Sequence, residues 1–361
     1  MKESEENEKP IKKKSAWKDF TNSLKKAADT TGTGLKYVFD KGNEHKHYLV
    51  PAWNGLFGDK LAELKDKRAI QMNFRRKGED VPVKDLNLID ELKKHNGTLI
   101  LFIHGLMADE VLWEEPSVGK LGYAPRLARD LNAVSLCVRY NTGMHISQNG
   151  RAISNLFQEL VDTYGKDIKD LIIVAHSMGG LVTRSSGYYA TLQNQNWIKK
   201  LSRVVLIGVP NDGSFLEKFG HLTTFVLKNI WNFHTKLIAK IADERSNGIK
   251  DLRWGFMVDE DWQDKKADAL INVKKTDVAP LPNVKYYIVT GTLSENPESI
   301  VSSYFGDGLV GHGSASGKMF YGIKESEENN LEFKPFPETN HVALLTDDSV
   351  YDYILSVLNK V

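Results

Sequence analysis

Residues 171–182 read Leu-Ile-Ile-Val-Ala-His-Ser-Met-Gly-Gly-Leu-Val, an apolar run that leads through a serine into two glycines. The apolar run predicts a buried strand, and Gly180–Ala190 predicts a helix directly after it. Ser177 would then stand on a sharp, strained turn, in the pattern G-x-S-x-G with Ala175 in place of the first glycine. Such a turn presents the serine as a nucleophile; the alternative is a plain turn with a capping serine.

The alternation of strands and helices extends over most of the chain. Short apolar runs, typical of buried parallel strands, are separated by stretches of helical periodicity. This alternation predicts an α/β fold with a mostly parallel central sheet and helices on both faces, whose chemistry lies beyond the carboxyl ends of the strands. The predicted strands are Leu99–Ile103, Val134–Val138, Leu171–Val174, Val204–Ile207 and Tyr286–Val289; the predicted helices are Ala124–Leu131, Ser154–Tyr164 and Gly180–Ala190.

Composition limits the classes of function. The 361 residues include 48 Lys and Arg against 47 Asp and Glu, so no global positive field predicts nucleic-acid binding. The single cysteine, Cys137, rules out an intrachain disulfide. No apolar run approaches the roughly 18 residues of a membrane span, and the amino terminus lacks the apolar core of a secretory signal. We therefore expect a cytoplasmic protein, with peripheral attachment to a membrane as an open alternative.

The predicted domain organisation has two parts. Residues 1–50 are predicted to form a charged tail followed by an amphipathic segment, in which Trp17, Phe20 and Leu24 recur at helical spacing. This segment is either a helix docked on the domain or a basic anchor for anionic lipid. Residues 51–361 are predicted to form one α/β domain, interrupted at about 211–275 by a helical cap insertion that includes the amphipathic stretch Phe215–Ile241.

A second strand end supplies the candidate oxyanion hole. Residues 99–106 end a predicted strand in His-Gly-Leu, and Gly105 lets the following loop bend towards a reacting carbonyl. We predict the backbone N–H groups of Leu106 and Met178 as the two donors, each worth about 10²–10³ in turnover. His104 is assigned no chemistry; its side chain is predicted to orient the loop by hydrogen bonding.

The remaining candidate residues follow the last strands, in the chain order Ser, Asp, His. Asp307 lies between two glycines after the strand Val284–Thr290, whereas Asp277 lies before that strand and is less well placed. His341 precedes a predicted final helix, Ser349–Leu358, and would act as general base, with Asp307 holding its imidazole. His312 is the alternative base, but no helix follows it.

These motifs resemble the α/β-hydrolase superfamily, and most closely bacterial esterase and lipase proteins related to inositol-deacylase-like lipases. The resemblance covers roughly residue 54 to the carboxyl terminus. It departs at Ala175 and at Gly-Val-Pro-Asn-Asp-Gly, where similar lipases often read Gly-Thr-Pro-His-His-Gly. The strings that carry it are Asn54-Gly-Leu-Phe-Gly-Asp59, Arg139-Tyr-Asn-Thr-Gly-Met-His-Ile-Ser147, Gly208-Val-Pro-Asn-Asp-Gly-Ser214 and Gly248-Ile-Lys-Asp-Leu-Arg253.

The resemblance implies a Ser177–Asp307–His341 triad that hydrolyses an acyl ester without a metal or cofactor. The amphipathic cap favours a lipophilic acyl group. Acyl transfer on the same triad and a non-catalytic hydrolase-fold binding protein are the alternatives. The string Gly306–Gly311 matches G-x-G-x-x-G, but no helix follows it, and the His45/His47 pair lacks a third ligand, so neither a dinucleotide nor a metal is predicted.

Overall fold

The computed structural model describes residues 42–116, 119–210, 246–263, 275–291, 330–339 and 341–360, with side chains from residue 50 onward. Several predictions fall outside these residues. They are the amphipathic amino-terminal segment, the amphipathic part of the cap at 215–241, Asp307 and His312.

The described strands form one mixed sheet in the order β2-β1-β4-β3-β5-β6-β7-β8. Strands β3 to β8 run parallel to one another, whereas β1 runs antiparallel to both β2 and β4. The sheet is therefore mostly parallel, as predicted, with an antiparallel pair at one edge. The strands are β1 (Asn73–Arg76), β2 (Glu79–Val81), β3 (Thr98–Ile103), β4 (Val134–Arg139), β5 (Asp170–His176), β6 (Leu201–Ile207), β7 (Lys285–Gly291) and β8 (Leu331–Phe336).

Helices cover both faces of this sheet, and alternate residues along each strand face opposite cores. In β3, Leu101 and Ile103 pack with residues of α1, α5 and α6, whereas Ile100 and Phe102 pack with residues of α3, α4 and α8. The helices are α1 (Gly42–Glu63), α2 (Ile89–Lys94), α3 (Val111–Glu114), α4 (Tyr123–Asp130), α5 (Ile146–Tyr164), α6 (Met178–Leu192), α7 (Asn247–Trp254) and α8 (Asp348–Leu358), with short 3-10 turns at Val83–Asp85, Trp197–Lys199, Asp259–Asp261 and Ala343–Leu345.

Helix α1 runs through residue 50, where the sequence had suggested that the hydrolase-like domain begins. Its later turns are part of the core: Phe57 and Leu61 are fully buried. No helix within the described residues is long and apolar enough to cross a bilayer.

Candidate active site

Ser177 lies at the junction of β5 and α6 in a strained backbone conformation. Its φ is 54° and its ψ is −126°, a combination that a residue with a Cβ rarely adopts. The Ser177 N–H donates to the carbonyl of Ile207 at 2.9 Å, which fixes the turn against the end of β6. Ala175 is fully buried inside β5 opposite Ile103 and Leu206, so the alanine occupies an ordinary strand position.

The loop after β3 lies directly against this turn. A Cβ placed on Gly105 would be 2.9 Å from the Cβ of Ser177, so only glycine permits the approach. Within the described part of the chain, the backbone N–H groups of Leu106 and Met178 donate to no backbone carbonyl. The Leu106 N–H follows Gly105, and the Met178 N–H opens α6, where helix geometry leaves donors unpaired. Both groups are thus available beside Ser177.

His104 holds this loop in the way the sequence suggested. Its Nδ1 lies 2.9 Å from the carbonyl oxygen of Gly105, which can only accept, so Nδ1 carries the proton. Its Nε2 accepts from the Tyr140 N–H at 3.3 Å, and the Tyr140 hydroxyl donates to the His104 carbonyl at 2.7 Å. The two rings stack with centroids 4.4 Å apart. Burial lowers the pKa of His104 to about 4, so the ring is neutral at physiological pH.

His341 lies between β8 and α8, next to the end of β6. A Cβ on Gly208, the residue after β6, would be 2.9 Å from His341 Nδ1, so the imidazole packs against the Gly208 backbone. Gly208 has a φ of 59°, in the region that favours glycine. Since Ser177 is bonded to Ile207 and His341 packs on Gly208, both residues adjoin the same strand end.

The acid predicted from the sequence, Asp307, lies outside the described residues. The segment that carries it leaves β7 at Gly291, which packs on the carbonyl of Thr339, two residues before His341. Asp277 is exposed and precedes β7 in the chain.

A buried ionic cluster that the sequence did not predict lies behind the loop after β3. Glu110, 1% exposed, accepts from Arg75 Nε at 2.9 Å and from Arg139 Nε at 2.7 Å, and a second Arg139 nitrogen also bonds to it. Although burial opposes ionisation of this carboxyl, Arg139 and Arg75 hold its pKa below the ordinary value. The cluster joins β1 and β4 to the loop that carries Leu106. Sequence alone gave no signal for it, because the three residues are far apart in the chain.

Three of the strings that carried the family resemblance meet beside α6. The Asn141 side chain donates to the Gly58 carbonyl at 2.8 Å, and the Asn247 N–H donates to Asp59 at 3.1 Å. His145 Nδ1 lies 2.9 Å from Asp251 and its ring stacks on Trp262 at 3.7 Å. These contacts fix α7 next to the start of α6. The sequence reading quoted these strings without assigning them this role.

The neutral state of buried His104 predicts acid lability. An unfolded histidine takes up a proton below about pH 6.5, whereas folded His104 resists protonation until about pH 4. The unfolded state therefore binds more protons in this window, and stability falls as pH is lowered, by about 1.4 kcal/mol per pH unit from this residue. We expect the free energy of unfolding of His104→Gln, measured by urea titration, to change less steeply between pH 6.5 and 4.5. Parallel curves for the two proteins would contradict this assignment.

Comparison with known proteins agrees with the architecture. Residues 125–278, less than half of the chain, match the family model described as PGAP1-like alpha/beta domain. This partial match and the strand order agree with an α/β-hydrolase fold. No curated protein sequence matches significantly.

Solved structures with a similar fold include several that are described as lipases or esterases. The mature lipase BlEst2 of Bacillus licheniformis is 16% identical, covers 73% of this chain and 92% of its own, and has a TM-score of 0.42. Esterase Pf2001 of Pyrococcus furiosus is 11% identical, with a TM-score of 0.41; the alignment covers 73% of this chain and 83% of the esterase. A lipase-esterase related protein of Clostridium acetobutylicum is 13% identical, with a TM-score of 0.37; the alignment covers 73% of this chain and 90% of that protein. At these values the likeness carries no argument about activity, which has to be argued from the site.

Proposed function

We propose that this protein is a serine hydrolase that cleaves carboxylic esters through an acyl-enzyme on Ser177. The observation that carries the proposal is the backbone of Ser177, held at φ 54° and ψ −126° between β5 and α6. Strain of this kind persists only where the surroundings enforce it, and it aims the hydroxyl beyond the sheet. The available donors beside the serine, and a histidine at the same strand end, supply the other groups that acyl transfer needs.

In the proposed reaction, Ser177 Oγ attacks the ester carbonyl while His341 takes its proton. The Leu106 and Met178 N–H groups stabilise the oxyanion, and Asp307 holds the imidazole in the productive tautomer. Collapse of the tetrahedral intermediate breaks the bond to the alcohol, which leaves with the proton from His341. A water molecule then attacks the acyl-enzyme, His341 accepts its proton and returns it to Ser177 Oγ, and the carboxylic acid is released.

We further propose a lipophilic acyl group as the preferred substrate. The support is the apolar sequence of the insertion at 215–241, which enters the chain just after β6, at the end of the sheet where Ser177 lies. An apolar surface next to a nucleophile favours substrates that can be desolvated there.

Hydrolysis of a p-nitrophenyl ester series from acetyl to palmitoyl tests the proposal. We expect measurable turnover that favours medium or long chains, and stoichiometric labelling by a fluorophosphonate at Ser177. The Ser177→Ala variant, which keeps the Cβ that packs against Gly105, should show neither turnover nor labelling.

The outcomes separate the alternatives. A protein that is folded but neither labelled nor active would be a binding protein of this fold, which overturns the proposal. If the fluorophosphonate labels Ser177 but the acyl group of the ester is transferred to an added alcohol in preference to water, the activity is acyl transfer and not hydrolysis.

A further inference from the structure

His176, directly before Ser177, contacts the loop between β8 and α8 that carries His341. Its Nε2 lies 3.3 Å from the main-chain carbonyl oxygen of His341, and the two ring centroids are 4.6 Å apart. The side chain is buried, 6% exposed, between this loop and the edge of the Trp113 ring. One dipeptide thus provides both the candidate nucleophile and a link to the candidate base.

We propose that His176 is a positioning residue, whose neutral Nε2–H donates to the His341 carbonyl and sets the imidazole of His341 relative to Ser177. This inference rests on the proposed function. A carbonyl oxygen only accepts, so the proton of the bond belongs to His176 Nε2. His176 Nδ1 faces Gly105 and meets no hydrogen-bond acceptor among the described residues, so no contact there requires a proton on Nδ1.

The surroundings keep this ring neutral. Burial, and then the neighbouring His341, place the pKa of His176 well below 6.5. A neutral donor has a chemical advantage, because a cation here would oppose the positive charge that His341 acquires when it takes the serine proton.

The bond contacts the main chain of His341, while Gly208 contacts its imidazole. The carbonyl held by His176 belongs to the same residue as the imidazole, so fixing it fixes the direction of the Cα–Cβ bond. The imidazole itself rests on the Gly208 backbone. Together the two contacts define the ring position that proton transfer from Ser177 requires.

A matched pair of variants tests the donor position. In His176→Gln the amide nitrogen stands three bonds from Cβ, as Nε2 does, whereas in His176→Asn it stands two bonds away, as Nδ1 does. For the preferred p-nitrophenyl ester, we expect the Asn variant to lose about tenfold in kcat and in fluorophosphonate labelling rate, with KM little changed. The Gln variant should recover kcat to within about threefold of the original protein. Equal kinetics of the two folded variants would overturn the proposal.

A second measurement, made on the unaltered protein with the Gln variant for assignment, does not depend on turnover. Nitrogen-15 NMR of histidine-labelled protein, with the His176 signals assigned by their loss in the Gln variant, should show the neutral Nε2–H tautomer down to pH 5. The Nδ1–H tautomer, or a protonated ring at pH 6, would contradict the inference. If fluorophosphonate fails to label the unaltered protein, the proposed function itself fails, whatever the tautomer.

Discussion

Replacing Ser177 with glycine is expected to abolish ester hydrolysis and at the same time to give a more stable protein than replacing it with alanine. Both substitutions remove the nucleophile, for which a loss on the order of 10⁶ in kcat is typical. They differ in backbone strain, since glycine adopts φ 54° and ψ −126° freely and alanine does not. Backbone strain should destabilise the alanine variant by about 1–3 kcal/mol. The greater freedom of glycine in the unfolded chain should destabilise the glycine variant by about 0.5–1 kcal/mol, so the net difference is about 1 kcal/mol in favour of glycine. Urea unfolding of the two variants measures it.

A control for this comparison lies in the following helix. Ser186 is buried in the interior of α6, where glycine should be about 1 kcal/mol less favourable than alanine. The order of the Gly and Ala variants should therefore reverse between positions 177 and 186. If alanine is the more stable replacement at both positions, the strain at Ser177 does not exist.

Glu110→Ala is expected to destabilise the protein by about 3–5 kcal/mol, because it removes the buried carboxylate that Arg75 and Arg139 share. Arg75, 8% exposed, would keep only its contacts at the protein edge, with Asp80 and the Gly78 carbonyl. The loop that Glu110 anchors also contains Leu106, so the ester turnover of this variant should fall as well. The measurement is the urea midpoint and slope at pH 7.5, together with kcat on the preferred ester.

Glu91→Ala provides a matched control at the surface. Glu91 pairs with Arg76, the neighbour of Arg75, at 2.7 Å, but its side chain is 43% exposed. An exposed pair contributes about 0–1 kcal/mol, so this variant should remain close to the original protein. Comparable losses for Glu91→Ala and Glu110→Ala would show that burial of the Glu110 cluster contributes nothing.

The central sheet was predictable because its strands are encoded locally. β3, β5 and β6 contain apolar runs that are buried on both faces of a parallel sheet, and short runs of this kind are typical of such strands. The turn at Ser177 was predictable for the same reason, since strand, serine and glycines follow one another directly. The structure extends each predicted strand by one to three residues without moving it.

The strands at or next to the two edges of the sheet were not predictable, because their stability comes from distant residues. β1 reads Asn-Phe-Arg-Arg, and its buried arginine is acceptable only because Glu110 lies opposite, 35 residues away. β8 reads Leu-Glu-Phe-Lys-Pro-Phe, a polar sequence with a proline that suits only an edge. Neither stretch has the apolar pattern of a buried strand.

Helix α5 shows the same limit at a helix boundary. The periodicity predicted a start at Ser154, whereas the helix begins at Ile146. Its first turns contain polar residues and Gly150, which have weak helical preference, and tertiary contacts compensate. The Asn149 side chain donates to the Asn141 carbonyl at 2.9 Å, and Gly150 packs against Ser185 of α6. Within the candidate site, His176 escaped notice for a related reason: its partner, the His341 carbonyl, is 165 residues away.

The anchoring of the chain on both sides of residues 211–245 has a consequence for how this protein could change during evolution. Before this stretch, Val209 packs against Gly180; after it, the Ser246 hydroxyl donates to the Gly55 carbonyl at 2.7 Å and Gly248 lies against Met178. The stretch thus leaves and rejoins the framework at one helix end. Doubling the length of a loop with fixed ends adds only about 0.6 kcal/mol of closure entropy. A change in the number of residues between Val209 and Ser246 should therefore cost the described framework little stability.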